Sequence, residues 1–554
     1  MDRILKLLLL LCLSITLVHA DSVDDLARDF WAWRATEQPF TGDDVTRIER
    51  PANWAPDWSL KAIASYRQQL EAFEARWKKI HDTNAPVAKQ VDYYLMASAI
   101  ARVRWELSIT RSWEINPTFY VDQTLGAYAY LLLDPSPFNA ERTREIVATL
   151  QSIPINIENG KKNLNRPVAP FAHMAIDQLE NAGPALMKSV QELKSHLDPA
   201  ASQGLDKASE DAVRALESYR DWLKAGLPEM AQNSAIGRES YLFFLKNVAL
   251  VPYTPEQLLS MGKQEWGRTV SSQIYEEHRN QGTPKLQLFK NQNEEIAHQK
   301  QDELSIRRYL KDKDLLTIPA WVKHYEFSAP PPYLSPVSDV NEADDFTSAN
   351  RLQQNSTRYI DPPSPVLGYF ALSMAQDPRA ITVHEGIPGH YFQLALSWMH
   401  PDPIRRHYYD SSANEGIGFY AEEMMLNAGL FDDSPRSREI IWNFMRLRAL
   451  RVEVDVKLAL GEFNIEQAAD YLRRTVPMDS QTSHHEAAFF ASTPGQAISY
   501  QIGKIQIYDF LASAQRQQGE KFSLRAFHDF LWQNGNVPIV LQRWEYLNEK
   551  PSLN

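Results

Sequence analysis

The sequence predicts a mostly helical protein, and three observations carry that expectation. Glycine is scarce, with 21 among 554 residues, while the good helix formers Ala, Leu, Glu, Gln, Arg and Lys are abundant. Several long stretches repeat apolar residues at helical spacing. No internal repeat or low-complexity tract competes with that pattern. Apolar residues make up 44% of the chain, ample for a large core, and the length alone allows about three or four domain-equivalents.

In chain order, the first element is a leader. Arg3 and Lys6 precede an apolar run over residues 7–18, and Val18-His19-Ala20 closes it before Asp21. This predicts a secretory signal peptide over residues 1–20, too short to anchor in a membrane. No twin-arginine pair is present. Cys12, the one cysteine of the chain, lacks the preceding small residue of a lipoprotein site and lies in the part expected to be removed. The mature chain is therefore expected to have no disulfide and no cysteine nucleophile or ligand. A periplasmic or secreted protein follows, with no membrane span in the mature chain, because no later stretch approaches 18 uninterrupted apolar residues. With 70 acidic residues against 58 basic ones, nucleic acid is not an expected partner, since its binding needs a basic face.

Residues 60–79 read as an amphipathic helix, with Leu60, Ile63, Leu70, Phe73 and Trp77 on a broadly common face. Residues 91–113 and 199–223 behave alike. Thr254 followed by Pro255 marks a helix start, with threonine as cap and proline in the first turn. Prolines at 330–332, 336, 362, 363 and 365 break any helix between residues 328 and 365. Residues 366–372 then read either as a short strand, whose edge could take an extended peptide, or as buried coil.

The chemistry concentrates in His384-Glu385-Gly386-Ile387-Pro388-Gly389-His390, followed 25 residues later by Glu415. Two imidazoles and a carboxylate, with a fourth position left for water, are the ligand set of a catalytic zinc site. Glu385 beside the first histidine would take a proton from that water. The spacing departs from His-Glu-x-x-His, whose histidines sit roughly 40° apart around a helix. Six residues on an unbroken helix turn about 240°, which puts His384 and His390 on different faces. Pro388 and Gly389 between them must therefore form a bulge if both bind one metal. The apolar pattern after His390 puts the motif at the head of a helix. Glu415 and Glu422 are seven apart on a second expected helix, about 20° from alignment, which suggests one ligand and one supporting carboxylate. The other reading of Glu422 is a solvated face shared with Glu423.

Other side chains carry open alternatives. Tyr500 could donate its phenol to a developing oxyanion or be a core tyrosine. Arg451 could bind a substrate carboxylate or pair with Asp455 one turn on. His484-His485-Glu486 is a compact group that could form a second metal site, but adjacent histidines point to different sides of most backbones. Serine-nucleophile and phosphate-loop signatures are absent from the sequence.

At these residues the sequence resembles the bacterial domain-of-unknown-function family 885, whose members carry His-Glu-x-x-Pro-Gly-His. Arg358-Tyr359, Asp377-Pro378-Arg379, the segment from Glu415, residues 494–503, Phe527-His528-Asp529 and the shorter Asn116-Pro117, Ile153-Pro154 and Gly237-Arg238-Glu239 extend the resemblance over most of the chain. One departure is Ala459, where many members would have histidine. The family is similar in layout to helical zinc peptidases of the thimet oligopeptidase and carboxypeptidase Taq type. The resemblance implies a zincin-like helical metallopeptidase architecture with a substrate channel and a small strand element near the metal helix. An N-terminal helical region over 21–240 would precede a catalytic region over 241–554. The implied activity is zinc-dependent hydrolysis of short peptides, with His384, His390 and Glu415 on the metal, Glu385 and Tyr500 in catalysis, and Glu422, Arg451 and Glu486 in support. A metal-dependent amide or ester hydrolase of non-peptide substrates uses the same chemistry, and a silent secreted binding protein could keep the same ligands.

Overall fold

Helices carry almost all of the regular structure, and strand is confined, among the described residues, to one pair of four-residue segments. The structure is a computed structural model that describes residues 22–40, 50–51, 54–80, 84–134, 136–340 and 352–552. The expected signal peptide and Cys12 lie outside the described residues. No described helix is long and apolar enough to cross a membrane.

The helix expected over residues 60–79 is Leu60–Ile80, and Ile63, Leu70 and Phe73 turn inward while Leu60 at its start faces solvent. Residues 91–113 divide into Val87–Arg104, a π-helical turn Trp105–Thr110 and the short Ser112–Ile115, with Arg111 in the left-handed region between the last two. Over residues 199–223 the helix starts late, at Leu205, because Gly204 with φ 84° ends the turn before it. These helices pack with Val23–Glu37 and Ala140–Asn163 around Phe30, Leu95, Ile153 and Leu216, and Ile404, Tyr408 and Trp544 from later in the chain join the same core. A smaller core joins Trp105, Tyr241 and Val248 to Val452, Ile498 and Ile502, so apolar packing runs across position 240, which lies within the helix Arg238–Phe243.

The rest of the chain builds the frame of the site. Helix α1 (Pro255–Arg279) starts as expected: Thr254 Oγ1 accepts from the Gln257 amide, and Gln257 Oε1 accepts from the Thr254 amide. Helix α2 (Gln292–Asp312) lies beside strand β1 (Tyr325–Ser328), which pairs in parallel with β2 (Ser356–Tyr359), Tyr325 opposite Ser356. Gln299 on α2 donates to the Tyr325 carbonyl and accepts from the Phe327 amide, each at 3.0 Å. One side chain thus satisfies backbone groups that a third strand would otherwise bond.

The strand reading of residues 366–372 is corrected. Val366 is almost fully exposed, and from Gly368 onward the chain is helical, α3 (Tyr369–Gln376). A short apolar run has no period that separates strand from helix, and after the Gly368 cap the segment follows the helix.

Beyond α3 come α4 (His390–Trp398), α5 (Ser411–Ala428), α6 (Pro435–Leu460), α7 (Ser480–Ser492) and α8 (Gln496–Gln518). Helix α5 lies along α8, and α6 packs on α1 and α8. Where α5 crosses α8 the backbones touch: a Cβ on Gly416 would stand 2.7 Å from the Gly503 Cα. Any side chain there would push the two helices apart.

Candidate metal centre

The bulge expected between the two histidines takes a definite form. His384 and Glu385 lie in a π-helical turn, Thr382–Gly386, closed by a hydrogen bond from the Ile387 amide to the Thr382 carbonyl. A π turn holds one residue more than an α turn. The helix then stops, and α4 begins at His390 itself. A Cβ on Gly389 would overlap the His384 carbonyl at 1.7 Å, so the reversal requires glycine. Trp532 Nε1 donates to the Pro388 carbonyl at 2.6 Å and ties the turn to the core. The outcome is two imidazole rings 4.7 Å apart between centroids, nearly perpendicular at 81°.

Glu415 approaches from the first turns of α5. Its Oε2 lies 3.1 Å from His390 Nε2 and 3.5 Å from His384 Nε2. The three donors all lie within 4.8 Å of one another, and each residue is buried. Two ligands each about 2.05 Å from a tetrahedral ion stand about 3.3 Å apart, and the two observed separations bracket that value. Among the described residues this is the one group of histidine, cysteine and carboxylate side chains that could hold a metal ion. The donor set, two imidazoles and one carboxylate, suits zinc.

Gly418 is why both rings fit. A Cβ there would lie 2.8 Å from His390 Cε1 and 3.1 Å from His384 Cε1. The α5 backbone is the floor of the site.

Glu422 is fully buried, and its Oε1 sits 2.6 Å from His384 Nδ1. With Nδ1–H donated to that carboxylate, Nε2, on the side of Glu415 and His390, is the nitrogen left to serve as a ligand once its own proton has gone. Glu423, the next residue, faces the other way into ion pairs with Arg268 and the buried Lys504. Both carboxylates are therefore inside, and neither forms a solvated face.

The electrostatics follow from burial and crowding. Burial disfavours a charged His384, but hydrogen bonds with Glu415 and Glu422 outweigh it and raise the imidazole to about 9. Burial would raise the Glu415 carboxyl, yet His390 and His384 hold it well below the ordinary carboxylate range. Glu385 is also lowered, because Arg358, His384 and His390 together overcome its burial. Glu385 and Arg358 are each about one-fifth exposed, with Arg358 Nη1 3.6 Å from Glu385 Oε1. The carboxylate next to the candidate ligands is thus ionised and faces partly outward.

Tyr500, on the first turns of α8, stacks on the His384 ring at 6.2 Å and 19°. Arg451 lies over the Tyr500 ring, its guanidinium carbon 4.6 Å from the centroid. The expected pairing of Arg451 with Asp455 is not what forms. Arg451 instead grips Glu486 of α7 in a fork, Nε to Oε2 at 2.8 Å and Nη2 to Oε1 at 2.6 Å. Asp455 accepts from the Gly495 and Ile498 amides at the start of α8 and from the Tyr241 hydroxyl. Three buried donors outbid the i,i+4 arginine. His484 is half exposed, with Glu466 at 3.5 Å.

Sequence reasoning assigned no role to several further contributors. Arg358 was legible only as part of a motif; its strand brings it to Glu385. Arg448 on α6 reaches Glu422, Nη2 to Oε1 at 3.3 Å. Asn414 donates to Gln393 at 2.8 Å, and Gln393 donates to Asn536 at 3.1 Å, a buried amide chain that locks α4 to α5 and so His390 to Glu415. No local pattern announces these contacts, which join distant segments.

The fold is shared with two solved proteins. One is described as "a putative lipoprotein of unknown function" from Shewanella oneidensis, with TM-score 0.69, 19% identity, and coverage of 95% of this chain and all of that one. The other is described as a "putative lipoprotein" from Colwellia psychrerythraea, with TM-score 0.74, 17% identity, and coverage of 94% and 98%. No curated protein matches the chain. A family model matches residues 45–543, nearly the whole length, and the chain accordingly belongs to the bacterial proteins of unknown function DUF885.

Proposed function

We propose that this protein is an extracytoplasmic zinc-dependent hydrolase that cleaves peptide bonds in short peptides. The observation that carries the reading is the convergence of His384 Nε2, His390 Nε2 and Glu415 Oε2 at ligand spacing, with an ionised Glu385 alongside. A bound zinc ion would supply Lewis acidity and bring a water near neutral pKa. Everything else falls to the chain's own groups. Glu422 holds His384 in the tautomer that leaves Nε2 as ligand. Glu385 receives the water's proton at its carboxylate and returns it to the leaving amine. Tyr500 donates its phenol to the oxygen that gains charge, and the Arg451–Glu486 fork under its ring keeps it in place.

The zincin-like layout and a channel to the site belong to this reading, supported by the helical frame and by the likeness in motif and interval to helical zinc peptidases. The leader-like first residues and the lipoprotein descriptions of both solved neighbours support a place outside the cytoplasm. The test is digestion of a peptide library by purified protein, read by mass spectrometry, with and without chelator. Chelator-sensitive cleavage restored by zinc supports the reading. If zinc is bound and no amide or ester is cleaved, a binding protein replaces it.

A further inference from the structure

We propose that Arg448 is a positioning residue that holds His384 in place through Glu422, an inference that rests on the metal-site reading above. Arg448 projects from α6, and its residue is 4% exposed. Its Nη2 lies 3.3 Å from Glu422 Oε1, the same oxygen that sits 2.6 Å from His384 Nδ1. The guanidinium carbon is boxed by rings, 4.9 Å from the Phe444 centroid, 5.6 Å from Phe419, 5.6 Å from Phe370 and 5.8 Å from Tyr500. Tyr500 in turn stacks on His384. Arg448 therefore touches both supports of that imidazole: the carboxylate on its Nδ1 edge and the aromatic ring on its face.

The contrast with Arg451, one turn on, separates positioning from stapling. Arg451 spends two nitrogens in a fork on Glu486, the ordinary way to satisfy a buried guanidinium. Arg448 Nε and Nη1 make no hydrogen bond, and neither does Glu422 Oε2. A guanidinium kept from water with one ionic partner is poorly placed as a general staple. Its one partner, however, is the carboxylate that orients a metal ligand. The aromatic box fixes the cation's location, and the cation fixes which Glu422 oxygen faces His384. Supporting contacts of this kind set ligand orientation and metal affinity.

The experiment uses the purified full chain, with zinc affinity from chelator competition and cobalt(II) absorption as a report on ligand geometry. Arg448→Gln should weaken zinc binding on the order of 10–100-fold and alter the cobalt bands. In a Glu422→Gln background the same substitution should cost little more, because its route is already cut. Where Arg448→Gln does not fold, Arg448→Lys gives the same comparison with a smaller loss. Wild-type affinity and cobalt bands in these variants would overturn the inference, as would a full additional loss in the Glu422→Gln background. Failure of the wild type to take up zinc or cobalt would overturn the metal-site reading itself, an outcome distinct from both.

Discussion

Glu422 Oε1 stands 2.6 Å from His384 Nδ1 inside the protein, while Glu415 Oε2 meets the Nε2 side of the same ring at 3.5 Å. One helix thus supplies a carboxylate to each edge of one imidazole, seven residues apart. The two carboxylates should differ sharply on substitution. Glu415→Gln replaces a charged ligand with a weak amide oxygen and should abolish tight zinc binding. Glu422→Gln should reduce affinity only about 10–100-fold, because the amide still reaches Nδ1. Chelator competition on both variants decides it, and the reverse order would exchange their assignments.

The floor of the site gives a second prediction. A methyl on Gly418 would stand 2.8 Å from His390 Cε1, with His384 Cε1 close behind at 3.1 Å, and α5 is buried along most of its length. Gly418→Ala adds a good helix former, so the helix itself should persist. Far-UV circular dichroism should stay near wild type while bound zinc falls well below one per chain. Full zinc occupancy would show that the rings can move aside.

Proton linkage gives the third. In metal-free protein, burial opposes a charged His384, but Glu415 and Glu422 outweigh it and lift the group to about 9, with Glu385 adding to the same field. A histidine raised above its unfolded value of about 6.5 stabilises the fold fully below that value and stops doing so as pH passes its folded value. Metal-stripped protein should therefore lose thermal stability between about pH 6.5 and about pH 9. Zinc requires that proton to leave, so its affinity should rise over the same interval. Melting curves and chelator competition at matched pH test both slopes, and a flat zinc affinity would contradict the linkage.

What could be read beforehand is set by range along the chain. The alignment of Glu415 with Glu422 is helix arithmetic, and the Thr254 cap is local chemistry, so both were legible. The need for a break between His384 and His390 was legible too, because a rigid helix cannot bring residues six apart to one face. The form of the break was not, since a π turn followed by a fresh helix depends on packing such as Trp532 on the Pro388 carbonyl. Arg451 illustrates the limit: an i,i+4 rule favours Asp455, but burial brings Glu486 from another helix and occupies Asp455 with amides. Residues 366–372 failed for a different reason, being too short to display a period.

The last prediction concerns chemistry rather than binding. Glu385 adjoins the candidate ligand His384, is about one-fifth exposed, and lies 3.6 Å from Arg358. Glu385→Gln keeps its size and hydrogen-bonding reach but cannot accept a proton. Bound zinc should stay near wild type, while peptide hydrolysis falls on the order of 10²–10⁴-fold if Glu385 is the general base. Arg358→Gln is the companion: it removes a cation that favours the ionised carboxylate, so the acid limb of the pH–rate profile should move to higher pH with zinc content unchanged. An active Glu385→Gln variant would send the proton elsewhere. Among the nearby carboxylates, Glu486 is held through both oxygens by the Arg451 fork, whereas Glu422 is engaged through Oε1 alone and its Oε2 makes no hydrogen bond, so Glu422 is the next acceptor to test.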